Sequence, residues 1–278
     1  MKTLADRYPT ALVTGASGGL GRAFAAMLRA EGVRVWGTAR DPARLEPGDG
    51  LAPVGLDLAD PASIDRAYGV VAAASGGPDL VVNNAGFGVL APFTERDFGD
   101  WRRQLDAMLA GTLQLSQLAL RGMLARGRGA LVNVSSLAAE FPLPFMSGYN
   151  AAKAGLSAFT ESLMIEVAGT GVIVVDFRPG DYRTGFNRAM PPTSEIPAAA
   201  EAPAAIRLRR VRAALDAHLR AAPPPARAAA DLRRALRRGR SGTVCSGSWR
   251  QVRLAPLLAR LAPASWRRAV AARYFGSS

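Results

Sequence analysis

Seven short apolar runs recur along the chain, separated by helix-length stretches, and this pattern restricts the fold more than any other feature. The runs begin near residues 11, 33, 53, 79, 129, 171 and 242 and are rich in β-branched residues. They are continuously apolar rather than alternating, as is typical of parallel strands covered on both faces. The sequence therefore predicts an α/β fold, in which one doubly wound parallel sheet has helices on both faces.

Charge divides the chain unevenly. Residues 1–189 contain 18 basic and 18 acidic side chains, whereas residues 190–278 contain 17 basic and 4 acidic ones, so the whole net charge of +13 comes from the last third. We expect one domain over 1–278: a compact core over 1–184, a lid with basic helices over 185–240, and a final strand and tail over 241–278. Two basic amphipathic stretches, 206–220 and 229–239, predict a basic helical C-terminal extension.

The scarcity of cysteine and histidine excludes several kinds of site. With Cys245 as the single cysteine, the chain cannot form an internal disulfide, and with His218 as the single histidine we expect neither a Cys/His zinc cluster nor a Ser-His-Asp triad. The N-terminal residues lack the apolar run of a secretory signal, and the uncharged runs are too short to span a bilayer. We therefore expect a soluble, cytoplasmic protein.

A glycine-rich turn joins the first predicted strand to the first predicted helix. Residues 14–21 read "TGASGGLG". Glycines let the backbone turn tightly and approach a pyrophosphate closely, and the N–H groups at a helix N-terminus attract that anion. The position between strand and helix favours a dinucleotide site, with a purely structural turn as the alternative.

The segment "YNAAK", residues 149–153, contains one of just two lysines in a chain with 33 arginines. Apolar residues continue after Tyr149 at helical spacing, so Tyr149 and Lys153 lie four apart on one helical face. A compact ammonium near the phenol is expected to lower the pKa of Tyr149. The alternative is a core tyrosine followed by a solvated lysine.

Together, these segments resemble the short-chain dehydrogenase/reductase family. The family motifs occur here in the expected order over residues 10–185, each after the expected strand. The first two motifs are the turn with Thr14, Gly15, Gly19 and Gly21 and the N-N-A-G run at 83–86. The others are Ser136, which lies 13 residues before Tyr149, the pair Tyr149 and Lys153, and the pair Pro179 and Gly180. The end of the chain more loosely resembles members related to the 17β-hydroxysteroid and retinol dehydrogenases.

The resemblance implies a Rossmann-like fold, a homodimer or homotetramer, and a catalytic trio. Tyr149 would give a proton to a carbonyl oxygen or take one from an alcohol, while Ser136 would hold that oxygen. Lys153 would bind the nicotinamide ribose and lower the pKa of Tyr149. The implied reaction is hydride transfer between a nicotinamide dinucleotide and a carbonyl or a primary or secondary alcohol.

Arg40, at the end of the second predicted strand, favours NADP(H) over NAD(H), because a basic residue there suits a 2′-phosphate. Asp41 follows directly and keeps NAD(H) as the alternative. By resemblance, Asp57 would reach the adenine. The cofactor-binding residues implied are Gly15, Ser17, Gly19, Leu20, Gly21, Arg40, Asp57, Leu58, Asn84, Ala85, Gly86, Tyr149, Lys153, Pro179, Gly180, Tyr182 and Thr184.

One position departs from the family pattern. Met108 stands where many members have an asparagine that supports a water relay behind the lysine, although methionine still supplies its main-chain carbonyl. The missing asparagine leaves open a non-catalytic, dinucleotide-binding regulatory protein. The basic tail leaves open a protein that docks this tail on a membrane surface. We expect no nucleic-acid partner, because charged helix faces are usually just solvated.

The residues near the trio favour a bulky apolar carbonyl or alcohol as the small-molecule substrate. A mobile lid over residues 185–205 would admit it. Arg183 and Arg188 could instead supply a cation for an acidic substrate, and the apolar residues could be plain core. The candidate lining residues are Phe87, Phe141, Leu143, Phe145, Met146, Phe186 and Met190.

Overall fold

The computed structural model describes residues 3–45, 51–187, 190, 203–254, 256–257 and 261–276. Within these residues, seven parallel strands form one sheet in the order β3-β2-β1-β4-β5-β6-β7. All seven predicted runs are confirmed as strands. The strands are β1 (Thr10–Val13), β2 (Arg34–Ala39), β3 (Leu51–Gly55), β4 (Leu80–Asn83), β5 (Gly129–Val134), β6 (Val172–Pro179) and β7 (Gly242–Ser246).

Helices cover both faces of the sheet, which confirms the doubly wound architecture. They are α1 (Gly19–Ala30), α2 (Pro61–Ser75), α3 (Phe98–Leu105), α4 (Gly111–Ala125), α5 (Ser147–Glu166), α6 (Pro203–Ala221), α7 (Pro225–Arg238) and α8 (Ala264–Tyr274). Apolar residues of α1 and α7 pack on one face of the sheet, and those of α2, α4 and α5 pack on the other.

Helix α7 belongs to the core. Its Leu232 and Leu236 are fully buried in the cluster that also contains Phe24 of α1. On the outer face of α7, Arg237 pairs with Glu31 at 3.0 Å. The basic residues of α7 are therefore the solvated face of a helix that packs on the core, and the predicted basic C-terminal extension is not confirmed.

Buried amides join the central strands to the helices on the opposite face. Asn83 of β4 donates from Nδ2 to the Ser116 hydroxyl at 2.9 Å and to Asn133 Oδ1 at 2.8 Å, and Asn133 of β5 donates to the Thr160 hydroxyl at 2.9 Å. Because Ser116 lies on α4 and Thr160 on α5, these bonds fix both helices against the sheet.

Of the predicted lid, only residues 185–187, 190 and 203–205 are among those described, so its mobility stays a prediction. Helix α6 follows it and buries Leu208, Val211 and Leu215 against the carboxyl end of the sheet. Through all the described ranges, no helix combines the length and the apolar character that crossing a bilayer requires.

Candidate active site

The glycine-rich turn adopts a conformation that side chains would prevent. Gly15 and Gly19 have φ angles of 67° and 53°. A Cβ on Gly21 would lie 2.2 Å from the Gly15 carbonyl oxygen. The first N–H groups of a helix lack intrahelical acceptors, and no side chain caps those of α1. The turn therefore presents a site for an anion such as a pyrophosphate.

Thr14 locks this turn to the segment after β4. Its hydroxyl oxygen accepts the backbone N–H groups of Asn84 and Ala85, both at 2.9 Å, and Asn84 Nδ2 donates to the Thr14 carbonyl at 3.0 Å. A Cβ on Gly15 would lie 2.9 Å from the Ala85 Cα. The structure thus brings two of the predicted cofactor segments, 14–21 and 83–86, into direct contact.

Arg40 and Asp41 have different roles after β2. The Asp41 carboxylate accepts the Ala43 N–H at 3.0 Å and so caps a single 3₁₀ turn. Arg40 is exposed at the carboxyl end of the strand. Of the two charged side chains, the arginine is therefore the one better disposed to meet a ligand phosphate.

Asp57 and Leu58 follow β3 at the same edge of the sheet. Asp57 Oδ1 accepts the Ala59 N–H at 3.0 Å, and Oδ2 lies 3.4 Å from an Arg103 guanidinium nitrogen. The Leu58 carbonyl fits against α4, because a Cβ on Gly111 would lie 1.9 Å from its oxygen. This contact sets how closely α4 approaches the predicted adenine site.

Ser136, Tyr149 and Lys153 come together as predicted, with Ser136 just beyond β5 and the other two in α5. The Lys153 Nζ lies 5.9 Å from the Tyr149 ring centroid and donates to the Val134 carbonyl at 2.6 Å. The Ser136 hydroxyl accepts the Ala138 N–H at 3.0 Å. All three side chains are buried.

Burial controls the protonation of the trio. Burial raises the pKa of Tyr149 and is the largest effect. A hydrogen bond with Ser136 lowers this pKa, and the charge of Asp181 raises it. Burial also lowers the pKa of Lys153 to about 8, and the charge of Asp176 acts in the opposite direction. In the protein alone the pKa of Tyr149 is raised because desolvation dominates, and the lowering of this pKa by Lys153 stays a prediction.

Asp176 is a residue that the sequence reasoning missed. It lies fully buried on β6, accepts a hydrogen bond from Ser135, and accepts one from Ser157 at 2.7 Å. Arg178 pairs with it at 2.6 Å. Ser135 directly precedes Ser136, and Ser157 lies one turn beyond Lys153. An aspartate within the apolar run of β6 was the signal that could have identified this buried anchor.

Met108 lies in a π-helical turn, Asp106–Ala110, between α3 and α4. The Met108 side chain is buried. It lies close to Lys153, since a Cβ placed on Gly86 would be 3.2 Å from Met108 Cε and 3.7 Å from Lys153 Nζ. Such turns occur often at functional sites. The thioether therefore takes up space behind the lysine without contributing a strong hydrogen-bonding group.

Apolar side chains surround Tyr149. Phe186 packs edge-on against its ring, with centroids 5.7 Å apart. The cluster contains five of the seven predicted lining residues, whereas Phe87 packs in a separate cluster with Trp101. Phe141 is half-buried. Members of the cluster near Tyr149 are Leu90, Leu143, Phe145, Met146, Phe186, Met190, Leu208, Val211, Leu215 and Phe275.

Comparison with known proteins agrees with this geometry. A model of the family described as short chain dehydrogenase matches residues 9–195. The chain is 33% identical over 202 residues to the 3-oxoacyl-(acyl-carrier-protein) reductase FabG of Vibrio cholerae, covering 70% of this chain and 82% of that protein. The chain belongs to the short-chain dehydrogenase family.

Solved structures are similar as well. A short-chain dehydrogenase from Streptomyces avermitilis superimposes with a TM-score of 0.74 and 32% identity, over 86% of this chain and 88% of that one. The L-sorbose reductase of Gluconobacter frateurii, complexed with NADPH and L-sorbose, gives a TM-score of 0.61 and 30% identity over 64% and 71%. The predicted Rossmann-like dehydrogenase fold is confirmed.

Short-chain dehydrogenases are oxidoreductases that use NAD(H) or NADP(H). The residues of this dehydrogenase fit such a cofactor. The turn at residues 14–21 has glycines where side chains would intrude, and the uncapped N-terminus of α1 can receive phosphates. Thr184 lies beside that turn, since a Cβ on Gly19 would be 3.5 Å from the Thr184 Cβ.

In the segment after β6, the Tyr182 side chain is 2% exposed, and its hydroxyl is 2.5 Å from that of Ser246. The side chain packs in the core shared with α1 and α7, so the predicted contact of Tyr182 with the cofactor stays a prediction that rests on its main chain. Pro179 and Gly180 precede it, with the Gly180 N–H donating to the Ser246 carbonyl at 2.7 Å.

Asp181, another residue missed from the sequence, connects the dehydrogenase site to the C-terminal region. Its carboxylate accepts hydrogen bonds from Gln251 at 2.7 Å and Tyr274 at 3.0 Å. Of the two arginines considered as a cation for an acidic substrate, Arg183 is exposed to solvent and Arg188 lies outside the described residues. The Asp181 charge bears on the pKa of Tyr149, so this half-buried carboxylate belongs to the surroundings of the trio.

Proposed function

We propose that this dehydrogenase transfers a hydride between NADP(H) and the carbonyl, or the primary or secondary alcohol, of a bulky apolar substrate. The observation that carries the proposal is the cluster that contains Tyr149, which consists of aromatic, methionine and aliphatic side chains and includes Phe186 against the Tyr149 ring. Its members come from distant parts of the chain, from Leu90 after β4 to Phe275 after α8.

Each residue of the trio has a distinct role in this proposal. Tyr149, whose raised pKa keeps its hydroxyl protonated, donates a proton to the carbonyl oxygen during reduction. Ser136, beside it, holds the same oxygen. Lys153 orients the ribose hydroxyls and supplies a positive charge that makes the phenol more acidic once a ligand holds the ammonium close. The bound nicotinamide supplies or accepts the hydride.

Arg40 supports NADP(H) as the preferred cofactor. Its exposed guanidinium lies at the end of β2, where a 2′-phosphate would be met, and the neighbouring Asp41 carboxylate is already bonded to Ala43. A carboxylate committed to its own backbone competes weakly for a ribose hydroxyl. NAD(H) remains the alternative cofactor.

The cluster favours an apolar substrate on energetic grounds. A sugar or keto acid placed there would lose hydrogen bonds to water, and each unpaired buried polar group costs about 1–3 kcal/mol. An alkyl chain gains about 0.8 kcal/mol per methylene removed from water, which corresponds to a factor of about four. Asp181 would further repel an anionic substrate.

A panel of substrates tests the proposal. Reduction of aldehydes and ketones of rising chain length is followed by the loss of NADPH absorbance, with L-sorbose and a keto acid as polar comparators. We expect kcat/KM to rise about two- to fourfold per methylene over the short members. Efficiency that does not depend on chain length, or a preference for L-sorbose or the keto acid, would overturn the apolar assignment.

The same panel separates an enzyme from a regulatory protein. The proposal expects turnover with at least one carbonyl compound. Tight NADPH binding, measured by titration, without turnover of any compound in either direction would instead favour the non-catalytic function.

A further inference from the structure

The outward face of α8 is apolar. Trp266, Val270 and Tyr274 are spaced four residues apart and therefore form one stripe along the helix. Their exposed fractions are 68%, 46% and 47%. Arg273 is also exposed and lies about 20° from Trp266 on a helical projection, on the side away from Tyr274. The opposite face is buried through Ala271 and Phe275.

A second exposed apolar group precedes α8. Trp249, Leu254, Leu257 and Leu261 are 65%, 41%, 54% and 75% exposed. Large apolar side chains clustered at the surface usually indicate an interaction site, whereas single ones need no explanation. Trp249 precedes the π-helical turn Arg250–Leu254 and Leu254 ends it, and Arg250 and Arg253 of this turn are exposed as well.

The two groups meet at one carboxylate. Gln251 of the π-helical turn and Tyr274 of α8 both donate to Asp181 Oδ2, at 2.7 and 3.0 Å. The charge of Arg250 acts on the Tyr274 hydroxyl and lowers its pKa, against the larger effect of burial. We call the combined surface the C-terminal face. It consists of Trp249, Arg250, Arg253, Leu254, Leu257, Leu261, Trp266, Val270, Arg273 and Tyr274.

All charges of this part of the chain have one sign. Residues 242–278 contain six arginines and neither aspartate nor glutamate. Arg267, on the inner side, pairs with Glu140 at 3.3 Å. The charged members of the C-terminal face, Arg250, Arg253 and Arg273, are therefore all positive and fit an anionic partner.

We propose that the C-terminal face docks on the surface of an anionic lipid bilayer. Tryptophan and tyrosine favour the boundary between headgroups and acyl chains, and leucines beside them can enter the apolar layer. Arginines bind lipid phosphates and gain from the negative surface potential. Peripheral binding requires both kinds of contribution, and this face provides both.

Other occupants fit less well. A contact between two copies related by a twofold axis would bring the arginines of both copies into one interface, and residues 242–278 contain no acidic side chain to pair with them. A nucleic acid would pair with the arginines but leave Trp266, Val270 and the leucines in water, because its backbone offers no apolar layer. A bilayer with anionic headgroups satisfies both parts of the face.

Docking would turn the active site towards the membrane. Phe275, which directly follows the exposed Tyr274, is buried in the cluster that surrounds Tyr149. An apolar substrate dissolved in the bilayer would then reach the site without passing through water. The docking itself is independent of the proposed substrate, and its test requires no enzymatic activity.

Intrinsic fluorescence provides a direct test on the full chain. Of the four tryptophans, Trp36 and Trp101 are 2% exposed and serve as an internal reference, whereas Trp249 and Trp266 lie on the C-terminal face. We expect vesicles of phosphatidylcholine with phosphatidylglycerol to shift the emission to the blue. Trp249→Phe and Trp266→Phe should each remove part of the shift, and vesicles of phosphatidylcholine alone should shift it less.

Co-sedimentation with the same vesicles measures the affinity. The double variant Trp266→Glu with Val270→Glu should bind about tenfold or more weakly, because two apolar contacts become like-charged with the lipid. Arg273→Glu should weaken binding about fivefold or more, and salt should weaken the wild type. Val70→Glu, at a 56% exposed position on α2, is the matched control and should bind like the wild type.

Three results would overturn the proposal. The first is equal binding of neutral and anionic vesicles, or binding that Val70→Glu weakens as much as the double variant does. The second is self-association, measured by sedimentation velocity, that the double variant abolishes while vesicles are not bound. The third is retention on duplex DNA without retention on vesicles at the same salt concentration.

Discussion

Lys153 carries a charge that the folded protein stabilises poorly. Its pKa is about 8, compared with an ordinary value of 10.5, because the ammonium is buried next to Tyr149 and Asp176. Below pH 8, both the folded and the unfolded chain hold the proton, and the buried charge lowers stability. Between pH 8 and 10.5, only the unfolded chain holds it, so this penalty fades as the pH rises.

Substitution of Lys153 by methionine should remove this dependence. We expect the free energy of unfolding of the wild type, relative to that of Lys153→Met, to rise by about 2 kcal/mol from pH 7 to about pH 9.5. This window ends below the ordinary pKa of tyrosine, so Tyr149 contributes little. Denaturant titrations at several pH values measure the difference, and a flat difference would contradict a buried charged lysine.

Tyr149→Phe should separate proton transfer from binding. The variant keeps the ring that packs against Phe186 and loses the hydroxyl alone. We expect NADPH binding, measured by fluorescence titration, to stay nearly unchanged while kcat falls by about 100-fold or more, the usual contribution of a positioned acid or base. A variant that keeps half its rate would exclude Tyr149 as the proton donor.

Arg40→Ala should discriminate between the two cofactors. Loss of a charge-assisted contact costs about 1.5–3 kcal/mol, so the KM for NADPH should rise about tenfold to a hundredfold. The KM for NADH should change little, since NADH lacks the 2′-phosphate. Asp41→Asn serves as the neighbouring control, and equal effects of Arg40→Ala on both cofactors would show that Arg40 does not bind the phosphate.

Local spacing made part of the site predictable. The four-residue separation of Tyr149 and Lys153 and the position of Ser136 after a strand were sufficient to bring the trio together. Asp176 and Asp181 could not be assigned in this way, because their roles depend on which strands and helices pack around them. The burial of the Tyr182 side chain could not be predicted for a related reason: the sequence does not reveal which way a side chain points after a strand ends.

Replacing a helical glycine by alanine should have opposite effects on stability at Gly111 and at Gly69. At Gly111 of α4, a Cβ would lie 1.9 Å from the Leu58 carbonyl oxygen, whereas at Gly69 of α2 no atom lies within 4 Å of that position. Gly111→Ala should therefore lower stability by about 1–3 kcal/mol through overpacking. Gly69→Ala should raise it by about 0.5–1 kcal/mol, because alanine favours a helix interior.

Thermal and urea unfolding of the two glycine variants measure the effect. Opposite signs would confirm that the contact at Gly111, rather than a general effect of alanine, determines the approach of α4. Destabilisation of similar size in both variants would contradict this interpretation.

Among the elements, strands were easier to predict than helices. Continuous apolar runs identify buried parallel strands, so all seven were found. Helix α7 was read as part of a basic extension because its arginines dominate its composition, although alanines and leucines bury its inner face against α1. The π-helical turn at Met108 had no periodicity of its own that a pattern of 3.6 residues could reveal.

For the molecule as a whole, the buried pair of Asp176 and Arg178 links β6 to its surroundings. Arg178 also pairs with Glu140 at 2.9 Å and with Glu161 at 2.7 Å. Arg178→Met leaves Asp176 buried without its cation, which should lower the free energy of unfolding by about 3 kcal/mol or more.

An exposed ion pair provides the comparison. Arg66 and Asp60 lie 3.4 Å apart with side chains 69% and 50% exposed. Arg66→Met should therefore change stability by less than about 0.5 kcal/mol. Chemical denaturation of both variants measures the difference, and similar losses would mean that the buried network contributes no more than a surface pair.

The position of β7 also bears on how the chain assembles during synthesis. Strand β7 begins at Gly242, pairs with β6, which ends at Pro179, and forms the edge of the sheet. All the other strands are complete before residues 180–241 are translated, so a six-stranded sheet can form on the ribosome while its last edge is still open. Closing so long a loop is slow relative to local contacts. The newly made protein therefore passes through a stage with an unpaired β6 edge, which can pair with the strands of other chains until β7 arrives.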